Sequence, residues 1–97
     1  MLTKGKIINT IQQYSEEIGA YGVKKVGIFG SFAKANQTSK SDIDVLVEFA
    51  RGTKTFDNYM GLKFFLEKML HRKVDLVIKE ALKARIKDQV LLEVEYA

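Results

Sequence analysis

Gly30-Ser31-Phe32-Ala33-Lys34-Ala35-Asn36-Gln37-Thr38-Ser39-Lys40-Ser41-Asp42-Ile43-Asp44-Val45-Leu46-Val47 is the stretch on which the reading of this chain turns. Its second half alternates. Ile43, Val45 and Val47 fall on one parity and Asp42 and Asp44 on the other, the pattern of a strand with one apolar face. Side chains two apart in a strand project to the same side, so the two carboxylates stand one pleat apart. Asp is depleted inside strands, and two on one face repel unless a cation lies between them. Hard oxygen ligands at this separation suit Mg²⁺, which takes one or two protein carboxylates and completes its shell with phosphates and water. A two-ion site needs ions roughly 3.5–4 Å apart, a gap that these carboxylates and a third from a neighbouring strand can bridge.

The first half follows a β-rich run, Lys24–Phe29, and opens on Gly30-Ser31. Glycine at a strand end lets a backbone or a phosphate come close. Ser31 offers a hydroxyl and an amide, and a short helical turn from Phe32 aims further N–H groups at an anion. Lys34 adds a positive charge. The result is a phosphate cradle, but neither Gly-x-x-x-x-Gly-Lys-Ser/Thr nor Gly-x-Gly-x-x-Gly occurs.

Working outward, Thr3 to about Gly19 reads as a helix, with Ile7, Ile8, Ile11, Tyr14, Ser15 and Ile18 at helical spacing. Ser41–Phe49 reads as a strand, residues 57–70 as a second long helix, Lys73–Ile78 as a third strand and Glu80–Glu95 as a closing helix with Leu82, Ile86, Val90 and Val94 on one stripe. The order predicts an α/β (α+β) domain, a small mixed three-stranded sheet flanked by helices. Asp75 interrupts the apolar run Val74-Asp75-Leu76-Val77-Ile78, and packing does not account for it. If its strand lies beside the middle one, Asp75 joins Asp42 and Asp44. Asp57 is read as a helix cap, Glu48 as solvated, and His71, beside Arg72 and Lys73, as part of a basic cluster at a helix C-terminus.

Composition sets the outer bounds. Ninety-seven residues with 46% hydrophobic content form one domain, 1–97. The absence of cysteine excludes disulfides and thiolate zinc sites, and a single histidine excludes a multi-histidine centre. The net charge of +4 comes from lysines spread along the chain, without interleaved aromatics, so no direct nucleic-acid binding is expected. No apolar run approaches a membrane span, and no signal-peptide core is present. A cytoplasmic location is the default expectation.

Gly-Ser, ten residues, then Asp-x-Asp is the signature of the DNA polymerase β-like nucleotidyltransferase superfamily, and Gly30-Ser31 with Asp42-Ile43-Asp44 matches it in spacing and identity. Over nearly its whole length the chain resembles the minimal nucleotidyltransferases, the MntA-type antitoxins found beside HEPN-domain toxins. The resemblance implies a polymerase β palm-like fold in a single minimal domain, with ATP as substrate and two Mg²⁺ ions as cofactor. It implies that Asp42, Asp44 and Asp75 hold metal and carry catalysis, and that Gly30, Ser31 and Lys34 contact the nucleotide. AMP would pass to a hydroxyl, that of a tyrosine on a HEPN-type toxin bound as partner. A chain of this size has no second domain to hold an acceptor, which favours a protein that presents its own hydroxyl. Members often read Gly-Ser-x-Ala-Arg-Gly. Here Lys34 replaces the bidentate arginine, and Ala35 lacks glycine's freedom at positive φ. Two other readings stand beside this one: a catalytically weak antitoxin that neutralises its toxin by occlusion, and a transferase acting on a small molecule of the aminoglycoside type.

Overall fold

The computed structural model describes residues Met1–Ala97. Helix α1 spans Lys4–Gln13, and Thr3 caps it, its Oγ1 accepting from the Lys6 N–H at 3.3 Å. The expected single helix over residues 3–19 is broken at Tyr14 (φ −105°, ψ 28°), and α2 runs Ser15–Gly19. The break sets the Tyr14 ring edge-on to Phe65, at 5.9 Å between centroids, and still buries Ile18 beside Ile7 and Ile11.

Strand β1 (Val23–Phe29) leads into the one-turn helix α3 (Gly30–Ala33), and β2 (Ile43–Phe49) follows the polar loop. Helix α4 (Phe56–Leu70) is capped by Thr55, whose Oγ1 accepts from the Asn58 N–H at 3.1 Å. Asp57 therefore lies in the first turn and is not the cap expected of it, a place where its charge still suits the helix dipole. Helix α4 ends at His71 in the left-handed conformation, φ 53°. Strand β3 (Val74–Ile78), a 3₁₀ turn (Lys79–Ala81), helix α5 (Ala84–Glu93) and the two-residue strand β4 (Glu95–Tyr96) complete the chain.

The sheet has four strands, in the order β3-β2-β1-β4, where three were expected. β1 pairs antiparallel with both β2 and β4, and β2 pairs parallel with β3. The fourth strand comes from the end of the predicted closing helix. That helix begins only at Ala84 and stops at Glu93, and the chain straightens at Val94 so that Tyr96 and Glu95 pair with Gly27 and Ile28. Gly27 permits this. A Cβ there would lie 2.7 Å from the Glu95 carbonyl oxygen.

One sheet face is sealed. Ile43, Val45, Val47, Val26, Ile28, Val74 and Leu76 pack on Ile7 and Ile11 of α1, Ile18 of α2 and Leu62, Leu66 and Leu70 of α4. The other face carries Asp44, Leu46 and Glu48 of β2 in register with Phe29, Gly27 and Lys25 of β1. Helix α5 roofs part of it, with Val90 buried. Glu48 is not solvated as expected. It pairs with Lys79 Nζ at 3.7 Å and is 15% exposed. The outer edge of β3 is covered by α4: Tyr59 donates its hydroxyl to the Leu76 carbonyl, Lys63 donates to the Val74 carbonyl at 3.0 Å, and Glu67 accepts from the Val74 N–H at 2.9 Å. No helix is long and apolar enough to cross a membrane.

Candidate active site

The parallel register of β2 and β3 puts Asp44 directly beside Asp75. This is the juxtaposition that the sequence could only make conditional on strand order. On the other flank Phe29 pairs with Asp44, so the turn that follows β1 begins next to the carboxylate. Gly30 sits at φ 71°, a conformation costly to any residue with a Cβ. A Cβ there would also run into Asp44 Oδ2. Glycine is thus required twice, by the backbone and by the close approach of the acid.

Asp42 is not inside the strand as expected. It is exposed and immediately precedes β2, which starts at Ile43. Its position is fixed from both sides. Ile43 donates its N–H to the Lys73 carbonyl at 3.0 Å. Arg72 donates to the carbonyls of Ser41 and Thr38, at 3.2 Å and 3.3 Å, and its guanidinium lies 5.4 Å from the centroid of the Phe32 ring. Ser41 Oγ accepts from the Thr38 N–H at 2.8 Å. Ser31 is half-buried in α3, and its carbonyl accepts from Asn36 N–H at 3.0 Å. Ala35 adopts φ 60°, the conformation for which glycine would be the natural choice.

Asp44 is raised from its ordinary carboxylate value to about 6. Burial is the leading cause, followed by the charges of Asp75, Asp42 and Glu93. The site is therefore crowded with negative charge around a half-buried acid, an environment that a divalent cation would relieve. No three of these side chains form a ready-made metal cage. The pair Asp44 and Asp75 matches the one or two protein carboxylates that Mg²⁺ takes when substrate phosphates and water complete its shell.

Two residues near the site carry no sequence motif. Glu93, the last residue of α5, accepts from the Gly30 N–H at 3.1 Å through Oε1 and lies 3.4 Å from Lys34 Nζ through Oε2. Lys34 is thus tied to a carboxylate. Arg72, read as part of a basic cluster, is the clasp of the loop before Asp42. Between β3 and α5 a cleft of about 420 Å³ opens beside Asp75, walled by Phe29, Val77, Leu82, Ile86 and Val90, with Lys83 and Arg85 also lining it.

The mixed sheet thus sets acids from adjacent strands beside a glycine–serine turn. The chain belongs to the nucleotidyltransferase domain family, which it matches over residues 6–97. It is similar to protein adenylyltransferase MntA of Thermococcus cleftensis, 35% identical over 97 residues that make up 99% of this chain and 97% of that one. Among solved structures, a minimal nucleotidyltransferase superposes with a TM-score of 0.84 and 30% identity, over 97% of this chain and 95% of that chain. A toxin–antitoxin structure with AMP-PNP gives a TM-score of 0.69 and 25% identity, over 98% of this chain and 72% of that chain. The fold class and the family read from Gly30–Asp44 are both borne out.

Proposed function

We propose that this nucleotidyltransferase acts as a single domain that moves AMP from ATP to a hydroxyl of a partner protein, and that the partner is a HEPN-type toxin which it neutralises. The observation that carries the reading is the register of Asp44 beside Asp75, with Asp42 two residues upstream, over the Gly30-Ser31 turn. The likeness to an adenylyltransferase over the full chain and to a toxin–antitoxin structure with AMP-PNP supports the acceptor class.

Asp42 and Asp44 would hold Mg²⁺ against the triphosphate, and Asp75 would hold a second ion. When bound, the metal neutralises the phosphates and polarises the α-phosphorus. Gly30 and Ser31 would contact the phosphate chain through their amides and the Ser31 hydroxyl. Asp75, exposed at the edge of the site, would take the proton of the acceptor hydroxyl. The acceptor oxygen bonds to the α-phosphorus as the bond to the bridging oxygen of the β-phosphate breaks, and pyrophosphate leaves. Most of the rate would come from positioning and fixed charge. AMP on a tyrosine adds a negative charge and bulk, enough to block an RNA-binding surface.

The test mixes the protein with Mg²⁺, ATP and the product of the adjacent gene, the candidate toxin, and weighs that partner by mass spectrometry. Gain of AMP units that disappears with Asp42→Asn is the expected result. A toxin of unchanged mass that is still neutralised, by wild type and by Asp42→Asn alike, would replace transfer by occlusion.

A further inference from the structure

Glu93 stands where electrostatics least favours a carboxylate. It closes α5, at the end of the helix where the unpaired carbonyls are negative. It also adds to the charge that raises Asp44. Yet its side chain is only 18% exposed and both oxygens are engaged, one by the Gly30 N–H and one by Lys34 Nζ. Its backbone is held on the far side as well. Val94 donates to the Val90 carbonyl at 2.9 Å, Glu95 and Tyr96 pair with β1, and Ala97 donates to the Val26 carbonyl at 3.0 Å. Glu95 is further tied to Lys4 at 2.8 Å.

The two groups that Glu93 engages are two of those assigned above to the phosphate chain. A carboxylate oxygen and a phosphate oxygen are both anionic acceptors, and a single N–H donor serves one of them well at a time. An arginine at position 34, with five donors in a fork, could hold Glu93 and a phosphate together. A lysine is a compact point charge and does this less well.

We propose that Glu93 is a resident anion that fills the phosphate cradle of the nucleotide-free protein and is displaced by the incoming triphosphate, so that this residue sets nucleotide affinity. The proposal rests on reading Gly30–Lys34 as that cradle. Because β4 holds the backbone of the neighbouring residues, the exchange is a swing of the Glu93 side chain. Nucleotide and Glu93 compete for the same donors, and removing the charge of one strengthens the other.

The test is calorimetric titration of wild type and Glu93→Gln with AMP-PNP and with pyrophosphate, each with and without Mg²⁺. Glu93→Gln keeps the shape of the side chain and an acceptor for Gly30, and loses the charge that holds Lys34. We expect it to bind both probes about tenfold more tightly than wild type, the scale of one charge-assisted hydrogen bond, in the presence and absence of metal. Unchanged affinity overturns the proposal. So does weaker binding confined to Mg²⁺, which would make Glu93 a metal ligand. A second readout needs no variant: in wild type, the side-chain carboxyl ¹³C resonance of Glu93 and the amide of Gly30 should both shift on saturation with Mg²⁺ and AMP-PNP. A Glu93 carboxyl that does not move overturns the exchange. Wild type that binds AMP-PNP with Mg²⁺, with Glu93→Gln no tighter, sinks this inference alone. Wild type that binds neither probe sinks the site reading with it.

Discussion

The two faces of β2 differ in what they carry, although their residues alternate along one strand. Ile43, Val45 and Val47 point into the helices and are wholly buried. Asp44 and Glu48, on the opposite face, are partly open, and Ile86 of α5, which lines the cleft beside Asp75, remains exposed. One face supplies hydrophobic stabilisation. The other gathers like charges against burial, and Asp44 is pushed up to about 6 as a result. Stability and chemistry thus fall largely on opposite sides of a single pleat, with Leu46, buried between Asp44 and Glu48, as the exception, and substitutions at the other positions should be felt in one or the other according to parity.

The sharpest way to break that separation is on the polar face. Asp42→Asn or Asp44→Asn should lower adenylyl transfer by about 10³-fold, the scale of losing a charged group that stabilises a transition state. Asp44→Asn should unfold no earlier than wild type in metal-free buffer. A urea melt that placed it well below wild type would join the two faces into one structural unit. Next comes the sealed face. Leu62 is fully buried, and Leu62→Ala should cost about 2–5 kcal/mol in urea unfolding, while transfer per folded molecule stays near wild type at low temperature.

A smaller effect, of opposite sign, is expected beside the site. Ala35 holds φ 60°, so Ala35→Gly should stabilise by about 1 kcal/mol and raise the melting temperature. The smallest effect is in pH. Asp44 binds its proton more tightly folded than unfolded, so its contribution is fully present below the ordinary value of 3.8 and is lost as pH rises through about 6. Since the group is half solvated, the change should be under about 1 kcal/mol. Glu67 runs the other way. The Val74 N–H, first, and Lys63 lower its pKa, so its contribution is lost as pH falls through the acid range. Denaturant midpoints between pH 4 and 7 in chelator, for wild type, Asp44→Asn and Glu67→Gln, separate the two slopes.

What the chain disclosed about itself follows the same division. The period of two in Ile43–Val47 and the wide apolar arc of residues 57–70 are local, and they predict the strand and the helix. The Gly30-Ser31 and Asp42-x-Asp44 spacing is local too, and it marks the proposed site. Asp75 became a neighbour only through the β2–β3 register, a contact between residues far apart in sequence. Glu93 was not legible, because its place depends on a helix ending early and on a fourth strand that pairs where Gly27 leaves room. Tyr14 reads as one more position of a continuous helix until Phe65 is seen against it. Arg72 reads as surface charge until the loop it clasps is in view. Helical and strand periodicity report which face is apolar. They are silent on partners brought together by the return of the chain.

The covered rim of β3 has a consequence for how another molecule can arrive. An open rim invites foreign chains to zip on through their main-chain groups, but here Tyr59, Lys63 and Glu67 already answer both outward groups of Val74 and the carbonyl of Leu76. A visitor seeking Asp75 gains little by lengthening the sheet from that side. On the proposed reaction an acceptor would instead come in through the cleft between β3 and α5, with a side chain that protrudes from its own surface.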